Sequence, residues 1–406
     1  MTPSGRETAG QRIARARRRR GLSQAVLAGL VGRSESWLSQ VERGKRGVDS
    51  HSVLVRLAEV LRVDIEELTG SADNDETGRR AYSAASLIEQ AMLGYGASGP
   101  LDSGEGSGRE ASLDFLRAQA RSAYHAYQAT RYDAAGRILP GLIRGVETAA
   151  RIVDPASPAA CAVRARVYDT TAALLSRVGE PFLAWAAADR ARFAAEQSGD
   201  PLLAAASAWR LSYMITGRKH PQEALEVAMA AAAALGRTTW VPSPERLSVY
   251  GALHLAAATA AAASFDRATT QSLLAVARGI ADRTGEANDL GTAFGPVNVA
   301  IHAISASLKL GDPRTATQTG EALDITAMPA DLVGRRTQVN LDLARAYAMT
   351  RKDAAAVNLL LAAERLSPQL VRYDPATRDV LTELLRREHR PSTPELRPLA
   401  HRAGVI

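Results

Sequence analysis

The stretch SQAVLAGLVGRSESWLSQVERGKR, residues 23–46, decides how the rest of the chain is interpreted. Ser23 and Ser34 each stand just before a short segment with helical apolar spacing, where a serine hydroxyl can cap the first turn. Gly29 and Gly32 lie around the tight connection between the two segments. Two short helices joined in this way, followed by a basic exit, are typical of a helix-turn-helix, which places its second helix in the major groove of DNA.

The apolar pattern continues on both sides of this stretch. A helix starts near Ile13 and ends at Gly21, and the apolar spacing of residues 53–61 indicates a fourth helix. Asp64 can cap a short fifth helix. Since five short helices can enclose one small core, we expect a complete domain over residues 1–70.

Charge and composition limit the classes of function. The chain has 406 residues and a net charge of +7. Residues 1–46 carry eleven Arg or Lys against three acidic residues, whereas residues 71–110 carry three Arg against seven acidic residues, which is typical of a phosphate-binding head on an acidic connector. The single cysteine, Cys161, excludes an internal disulfide and a cysteine-built metal site. No apolar run approaches the ~20 residues of a membrane span, so we expect a cytoplasmic protein.

The pattern RxxRGLSQxxLA, followed by SxSWLSQVERGKR and VLVRLAEVLRVDIEELTG, resembles the Xre/Cro/phage-repressor family of helix-turn-helix proteins over about residues 10–70. The resemblance implies a lambda-repressor-like domain in which the second helix crosses the DNA backbone and the third reads bases. It also implies a structural ion pair between Arg17 and Glu42. By position, it implies base-reading roles for Glu35, Ser36, Ser39 and Gln40, and phosphate contacts from Gln24, Arg33, Arg43, Lys45 and Arg46.

Elementary chemistry supports part of this assignment. A glutamine side chain can bond both hydrogen-bonding groups of adenine in the major groove, a serine can donate or accept, and arginine and lysine neutralise phosphates. Two residues leave alternatives open. Glu35 could accept a hydrogen bond from cytosine, or it could stabilise the N-terminus of its helix. Trp37 could pack inside the domain, or it could wedge against sugar or phosphate.

Residues 71–110 are predicted to form a linker with one helix. The segment 79–93 fits an amphipathic helix, and the Gly/Ser-rich stretch that follows predicts a flexible chain. Gly94, Gly96 and Gly99 match a dinucleotide-binding motif by their letters alone. Because they follow a helix rather than a strand, we reject that interpretation.

Residues 111–390 are predicted to be helical throughout and to contain six degenerate repeats. Short turn motifs recur before helices at intervals of about 40 to 49 residues. Small residues where helices cross, with larger ones between pairs, favour a tetratricopeptide-like α-solenoid, so the whole chain is expected to be all-α. A closing helix is expected over 375–388 and a C-terminal tail over 391–406. The alanines that anchor the repeats are Ala135, Ala184, Ala224, Ala268, Ala316 and Ala356.

The first helices of such an array line its concave face, which can bind a ligand. The arrangement of head and repeats resembles actinobacterial Xre-type regulators with tetratricopeptide bodies and, more distantly, the peptide-sensing regulators of Gram-positive bacteria; this suggests, by analogy, that Asn298 grips a peptide. Taken singly, the aromatic residues and histidines on this face are better explained as packing groups, whereas the face as a whole favours binding. The groove residues are Arg166, Trp209, Tyr213, Tyr250, His254, Asn298, His302 and Gln338.

Together, these patterns predict a transcriptional regulator that binds a double-stranded DNA operator as a homodimer. Its body would sense a peptide or small-molecule effector and would need no cofactor. Two heads on half-sites about one DNA turn apart recognise more base pairs than one small domain can. The alternative is a regulator whose body docks a protein partner. Scattered histidines, and a sequence without a nucleophile elbow or a supported phosphate loop, argue against an enzyme and against a metal site.

Overall fold

The computed structural model describes residues 8–46, 48, 51–61, 63, 68, 82–94, 112–152, 157–237 and 243–406. All regular secondary structure in these ranges is helical. Contacts between residues divide the chain into two compact units, the head (Met1–Ala81) and the body (Tyr82–Ile406). Within the described ranges, no helix is both long enough and apolar enough to cross a membrane.

The helices of the head begin and end at residues suited to those positions. Thr8 and Gln11 form a capping box, in which each side chain accepts a hydrogen bond from the other residue's backbone amide. Gly21, with a φ of 64°, follows the first helix and turns the chain towards the second. The described helices of the head are α1 (Ala9–Arg19), α2 (Gln24–Leu30), α3 (Glu35–Glu42) and α4 (His51–Leu61).

One small apolar core holds these four helices together. Ile13, Leu27 and Leu38 are fully buried in it. Leu68 is buried in the same core. The remainder of the predicted fifth helix, residues 64–67, lies outside the described residues, so that prediction stays open.

In the described part of the body, one helix is followed by six helical hairpins. The preceding helix is α5 (Ala85–Leu93), and short 3₁₀ turns lie at 289–291 and 325–327 between later hairpins. The hairpins pair α6 (Leu113–Gln128) with α7 (Tyr132–Ile152), α8 (Pro158–Arg177) with α9 (Pro181–Gln197), α10 (Pro201–Gly217) with α11 (Pro221–Arg237), α12 (Pro244–Ala263) with α13 (Arg267–Thr284), α14 (Pro296–Lys309) with α15 (Pro313–Glu321), and α16 (Val333–Met349) with α17 (Asp353–Leu366).

All six hairpin turns share one backbone geometry. Each turn has three residues, and the middle one adopts a positive φ between 55° and 83°. That conformation ends the first helix and lets the second helix run back along it. The middle residues are Thr130, Gly179, Lys219, Phe265, Gly311 and Arg351.

The buried anchor of each hairpin lies five residues after this middle position. Five of the six predicted alanines occupy it and are fully buried. In the fourth hairpin the position belongs to Thr270, which is buried, whereas the predicted anchor Ala268 is exposed. The prediction of Ala268 was wrong because it aligned Asp266 with Asp133. Asp266 is the N-cap residue just before α13, whereas Asp133 lies within the first turn of α7.

The helix predicted within the connector packs as part of the body. Tyr82, just before α5, is buried, and its hydroxyl donates to the carbonyl of Tyr132. Its ring lies edge-on to Tyr373, with centroids 5.3 Å apart. Gly136 makes this fit possible, since a β-carbon there would lie 2.0 Å from the Tyr82 hydroxyl oxygen. The predicted start of this helix, at residues 79–81, falls outside the described residues.

The C-terminal region covers one end of the hairpin array. It contains α18 (Pro368–Tyr373), α19 (Pro375–Arg386) and α20 (Leu396–Arg402). The predicted closing helix corresponds to α19. The predicted tail over 391–406 was wrong, because Leu396, Leu399 and Ala400 have helical spacing and are fully buried.

Hydrogen bonds join the first hairpin to this C-terminal region. The Gln369 amide donates to Asp133 Oδ2 at 3.0 Å and accepts from the Asp133 backbone amide at 3.0 Å. The hydroxyl of Tyr373 donates to Asp133 Oδ1 at 3.1 Å. The first hairpin and α18 therefore meet at Asp133.

Candidate nucleic-acid interface and ligand groove

The helix-turn-helix begins at the serine caps expected from the sequence. Ser23 Oγ accepts from the amide of Val26 at 3.1 Å, and Ser34 Oγ accepts from the amide of Trp37 at 3.2 Å. Between them, Gly32 adopts a φ of 68° that suits a residue without a β-carbon. The local sequence therefore determines where α2 and α3 start and how they are joined.

One face of α3 carries polar groups that are not used inside the domain. Ser36, Ser39 and Gln40 lie at i, i+3 and i+4, which places them on the same side of the helix. Among the described residues, none of these three side chains has a hydrogen-bond partner. Glu35 is exposed at the first position of α3, so both interpretations of its role stay predictions.

Exposed cations lie close in sequence to this face, before and after α3. Gln24 was expected to contact a phosphate together with these cations, but its side chain lies against Glu42. Its amide donates to Glu42 Oε2 at 2.6 Å and is thereby engaged inside the head. The physical reason is that Gln24 is the first residue of α2 and lies against the end of α3. The exposed cations are Arg33, Arg43, Lys45 and Arg46.

Glu42 is the centre of a buried polar network in the head. Arg17 Nε and Nη2 donate to its two carboxylate oxygens at 2.7 and 2.9 Å, which confirms the ion pair. The Arg17 and Glu42 side chains are 12% and 6% exposed. Burial disfavours the charged carboxylate, but hydrogen bonds from Arg17 and Gln24 lower the pKa of Glu42 below its usual value. α1 and α3 can approach closely because a β-carbon at Gly10 would lie 1.9 Å from the carbonyl oxygen of Val41.

Trp37 packs against the core of the head and is half-buried. The guanidinium of Arg33 lies 5.8 Å from its ring centroid, within the range of a cation–π interaction. This placement favours the packing interpretation of Trp37. It also positions Arg33 beside the start of α3.

In the body, hydrogen bonds connect hairpins that are far apart in the sequence. Arg177 on α8 donates to Gln338 on α16 at 3.0 Å. Asn288, just after α13, donates to the hydroxyl of Tyr124 on α6 at 3.0 Å. We call the region around the contact between Arg177 and Gln338 the lumen; the side chains that define it are Tyr127, Arg177, Arg210, Tyr213, Arg335 and Gln338.

Four of the eight predicted groove residues are buried within the walls of the body. Trp209 packs in the apolar core of the middle hairpins, and His254 Nδ1 bonds the carbonyl of Tyr250 on its own helix. Asn298 is 1% exposed, and its amide donates to the carbonyl of Thr292 at 3.5 Å. A ligand cannot reach these groups in this conformation. The four buried residues are Trp209, His254, Asn298 and His302.

The other four predicted residues are accessible but do not form one patch. Tyr213, Tyr250 and Gln338 are half-buried. Arg166 is exposed and lines a cleft of about 520 Å³ between α6, α8, α10 and the 3₁₀ turn at 289–291. The repeat pattern therefore did not separate buried from accessible residues on these helices, and contact of the accessible ones with a ligand stays a prediction.

The charged residues of the lumen were not among the predicted groove residues. Arg210 forms two hydrogen bonds of 3.1 Å with Asp169, and its guanidinium lies 4.5 Å from the ring centroid of Trp209. Arg177 and Arg335 also belong to the lumen. The available signal was an isolated arginine on an otherwise Ala-rich first helix, most clearly in AASAWRLSY, residues 205–213.

His302 is buried next to the lumen, and the positive charges there affect its pKa. The hydroxyl of Tyr213 lies 3.4 Å from its Nε2, and Thr259 Oγ1 lies 3.4 Å from its Nδ1. Burial, followed by the charges of Arg335, Lys309 and Arg177, lowers the pKa of His302 well below 6.5. His302 is therefore neutral in the folded protein at neutral pH.

This neutral histidine should make the body less stable in acid. Below pH 6.5 the unfolded chain binds a proton at His302 that the folded chain does not, so stability falls as pH falls, by up to about 1.4 kcal/mol per pH unit. We expect His302→Gln to remove this contribution in urea unfolding measured from pH 7 to pH 5. The exposed His220→Gln variant is the control, and an equal pH slope in wild type and His302→Gln would contradict the assignment.

Comparisons with known proteins support the head directly. Residues 8–69 match a family model described as a helix-turn-helix domain. A crystal structure of Bacillus thuringiensis PlcR in complex with the peptide PapR7 and DNA aligns with 87% of this chain and 100% of that chain, at 12% identity and a TM-score of 0.32. A TM-score of that size does not establish a shared arrangement. No curated protein sequence matches the chain significantly. Residues 8–69 therefore form a helix-turn-helix domain, and the rest of the described chain is a helical repeat body.

Proposed function

We propose that the chain is a sequence-specific transcriptional regulator that acts in the cytoplasm by binding an operator in double-stranded DNA. The observation that carries this proposal is the polar face of α3. Ser36, Ser39 and Gln40 have no partner among the described residues, whereas Glu42, on the same helix, is committed to the fold. Side chains that are left unused on a rigid helix can contact base edges.

Gln40 is the proposed base reader with the sharpest test. We expect Gln40→Ala to weaken binding to the operator by about 1–3 kcal/mol, since it removes a bidentate contact with a base. Binding to nonspecific DNA should change little. The measurement is a titration of full-length protein against operator and scrambled DNA, and an equal loss for both would remove Gln40 from the readers.

Arg43 provides the matched control for that experiment. Its side chain is exposed, next to α3, and is proposed to neutralise a phosphate. Arg43→Gln should weaken binding to operator and scrambled DNA alike and should reduce the salt dependence by about one released ion. The two variants thus separate base reading from backbone contact.

We propose that the body is a degenerate tetratricopeptide-like array that binds an effector in the lumen. Contacts between distant hairpins, Arg177 with Gln338 and Asn288 with Tyr124, favour a small molecule or short peptide over a folded protein partner. An effector changes DNA binding only if it prefers one conformation of the body. A docked protein remains the alternative, and it would have to use the outer surface.

We also propose that the regulator binds DNA as a homodimer. One helix-turn-helix contacts too few base pairs for selectivity, whereas two heads on half-sites about one DNA turn apart contact enough. Analytical ultracentrifugation of the full chain, free and with operator, tests this. A single chain bound per operator at saturation would contradict the dimer.

A further inference from the structure

The lumen holds more positive charge than the surrounding residues neutralise. The guanidinium of Arg335, on α16, has no hydrogen-bond or ion-pair partner among the described residues. The charged groups that act on it include Arg177 and Arg210, which repel it. Burial, Arg177 and Arg210 all lower the pKa of Arg335, and the hydroxyls of Tyr213 and Tyr127 only partly oppose this. A half-buried cation in such a position is costly unless something else neutralises it.

The acidic groups of the region are already engaged elsewhere. Asp169 is held by two hydrogen bonds from Arg210. Asp342 accepts from Gln338 Nε2 at 3.0 Å and from the hydroxyl of Ser305. Burial raises the pKa of Asp342 above its usual value.

The charge of a third acidic group, Asp374, raises the pKa of Arg177. Asp374 caps α19, where it accepts from the Thr377 amide at 2.8 Å and the Thr377 hydroxyl at 2.7 Å. Its carboxylate is thus committed to a helix terminus. Its charge still acts on Arg177, but among the described residues neither Arg177 nor Arg335 forms an ion pair with an acidic side chain.

The groups around these two arginines suit an organic anion. Arg177 bonds the Gln338 amide oxygen and also the hydroxyl of Tyr127. Tyr127 and Tyr213 provide further hydroxyls, and Tyr213 presents a half-buried aromatic ring that packs edge-on against Trp209 at 5.6 Å. Burial alone would raise the pKa of Tyr127, but Arg177, Arg210 and Arg335 together lower it. The positive field is thus strong enough to affect a neighbouring hydroxyl.

From this arrangement we infer that the lumen binds a small organic carboxylate, with its anionic group between Arg177 and Arg335 and its apolar part against the Tyr213 ring. Two arginine forks can bind both oxygens of a carboxylate. The inference deepens the proposed function, because it names the chemical class of the effector. The carboxylate could belong to a small acid or to the C-terminus of a short peptide, since both present the same group.

Matched pairs of acids and amides test the inference on the full-length protein. The probes are benzoate with benzamide, and N-acetylphenylalanine with its amide, each at about 20 mM and equal ionic strength in chloride. We expect at least one acid to raise the thermal unfolding midpoint by about 2 °C or more, while its amide has no such effect. A response to N-acetylphenylalanine alone would indicate a peptide terminus, and a response to benzoate would indicate a small acid. No difference between acids and amides would overturn the inference.

Two variants connect the response to Arg335. Arg335→Gln should lose the acid response, whereas Arg336→Gln, its neighbour on α16, should keep it. Without any probe, Arg335→Gln should unfold at the same temperature as wild type or a higher one, because it removes an unneutralised charge. An Arg335→Gln chain that keeps the response, unfolds more easily or fails to fold would overturn the inference.

The same proteins separate this inference from the proposed function. Operator binding depends on the head and is measured in a separate titration. If the chain binds an operator but no carboxylate, the regulator proposal stands and the effector class is wrong. If it binds a carboxylate but no operator, the carboxylate site stands and the regulator proposal is wrong.

Discussion

Replacing Glu42 with alanine should unfold the head under conditions in which the wild-type chain is stable. The substitution leaves Arg17 with only 12% of its side chain exposed and without its carboxylate partner, and it also removes the acceptor of Gln24. Breaking a buried ion pair from one side costs about 3–5 kcal/mol, which is a large part of the stability of a small domain. The measurement is amide hydrogen exchange over residues 8–61 of the full chain. We expect the variant to lose both its amide protection there and its binding to the operator.

Glu35→Ala is the matched control, since Glu35 is an exposed acidic residue on the same helix. It should change stability by less than about 0.5 kcal/mol. Full amide protection in the Glu42→Ala head would show that the network with Arg17 is dispensable. The two variants together separate a role in the fold from a role in contacting DNA.

Replacing Gly136 with alanine should release Tyr82 and α5 from the body. The new β-carbon would lie 2.0 Å from the Tyr82 hydroxyl oxygen and 2.7 Å from the β-carbon of Ala84, and Tyr82 is too buried to move aside. Losing the packing of a buried aromatic residue costs about 3–5 kcal/mol locally. Exchange protection of residues 82–94 should therefore fall by at least about a hundredfold, while the hairpins stay folded.

Gly141→Ala controls for the general effect of alanine in α7. A β-carbon at Gly141 meets nothing within 4 Å, so this variant should gain helix propensity of up to about 1 kcal/mol without a clash. If Gly136→Ala leaves the protection of 82–94 unchanged, Tyr82 is not held in the way described. If both variants lose protection equally, α7 itself has been disturbed.

Local signals in the sequence were sufficient for the head. Ser23 and Ser34 cap their helices through bonds to the amides three residues later, so a short window of sequence contains all of the information. The ion pair between Arg17 and Glu42 was reached only through the family resemblance. Its partners lie on different helices, and no periodicity relates them.

The alignment of the repeats was harder to predict from the sequence, because the feature that the hairpin turns share is a backbone conformation and not a residue type. The middle position of the hairpin turns is glycine in only two of six cases, and Lys219 and Phe265 adopt the same positive φ elsewhere. With no fixed letter to mark the turn, Asp266 was aligned with the wrong position. The shift of two residues replaced Thr270 by Ala268 as the anchor.

The burial of the predicted groove residues could not be read from the sequence. Whether a residue on a first helix faces the lumen or the next hairpin depends on the twist between hairpins, which the sequence pattern does not specify. Trp209 and Asn298 were therefore assigned to the groove although they lie in the walls. The charge excess around Arg335 arises only when three separate hairpins come together.

The bonds from Gln369 and Tyr373 to Asp133 have a consequence for how this body can evolve. An open solenoid tolerates gain or loss of a unit, because each unit contacts only its neighbours. Here the first unit is bonded to the C-terminal end, so an inserted or deleted hairpin would pull Asp133 away from Gln369. We therefore expect this body to vary through substitutions rather than through gain or loss of a hairpin.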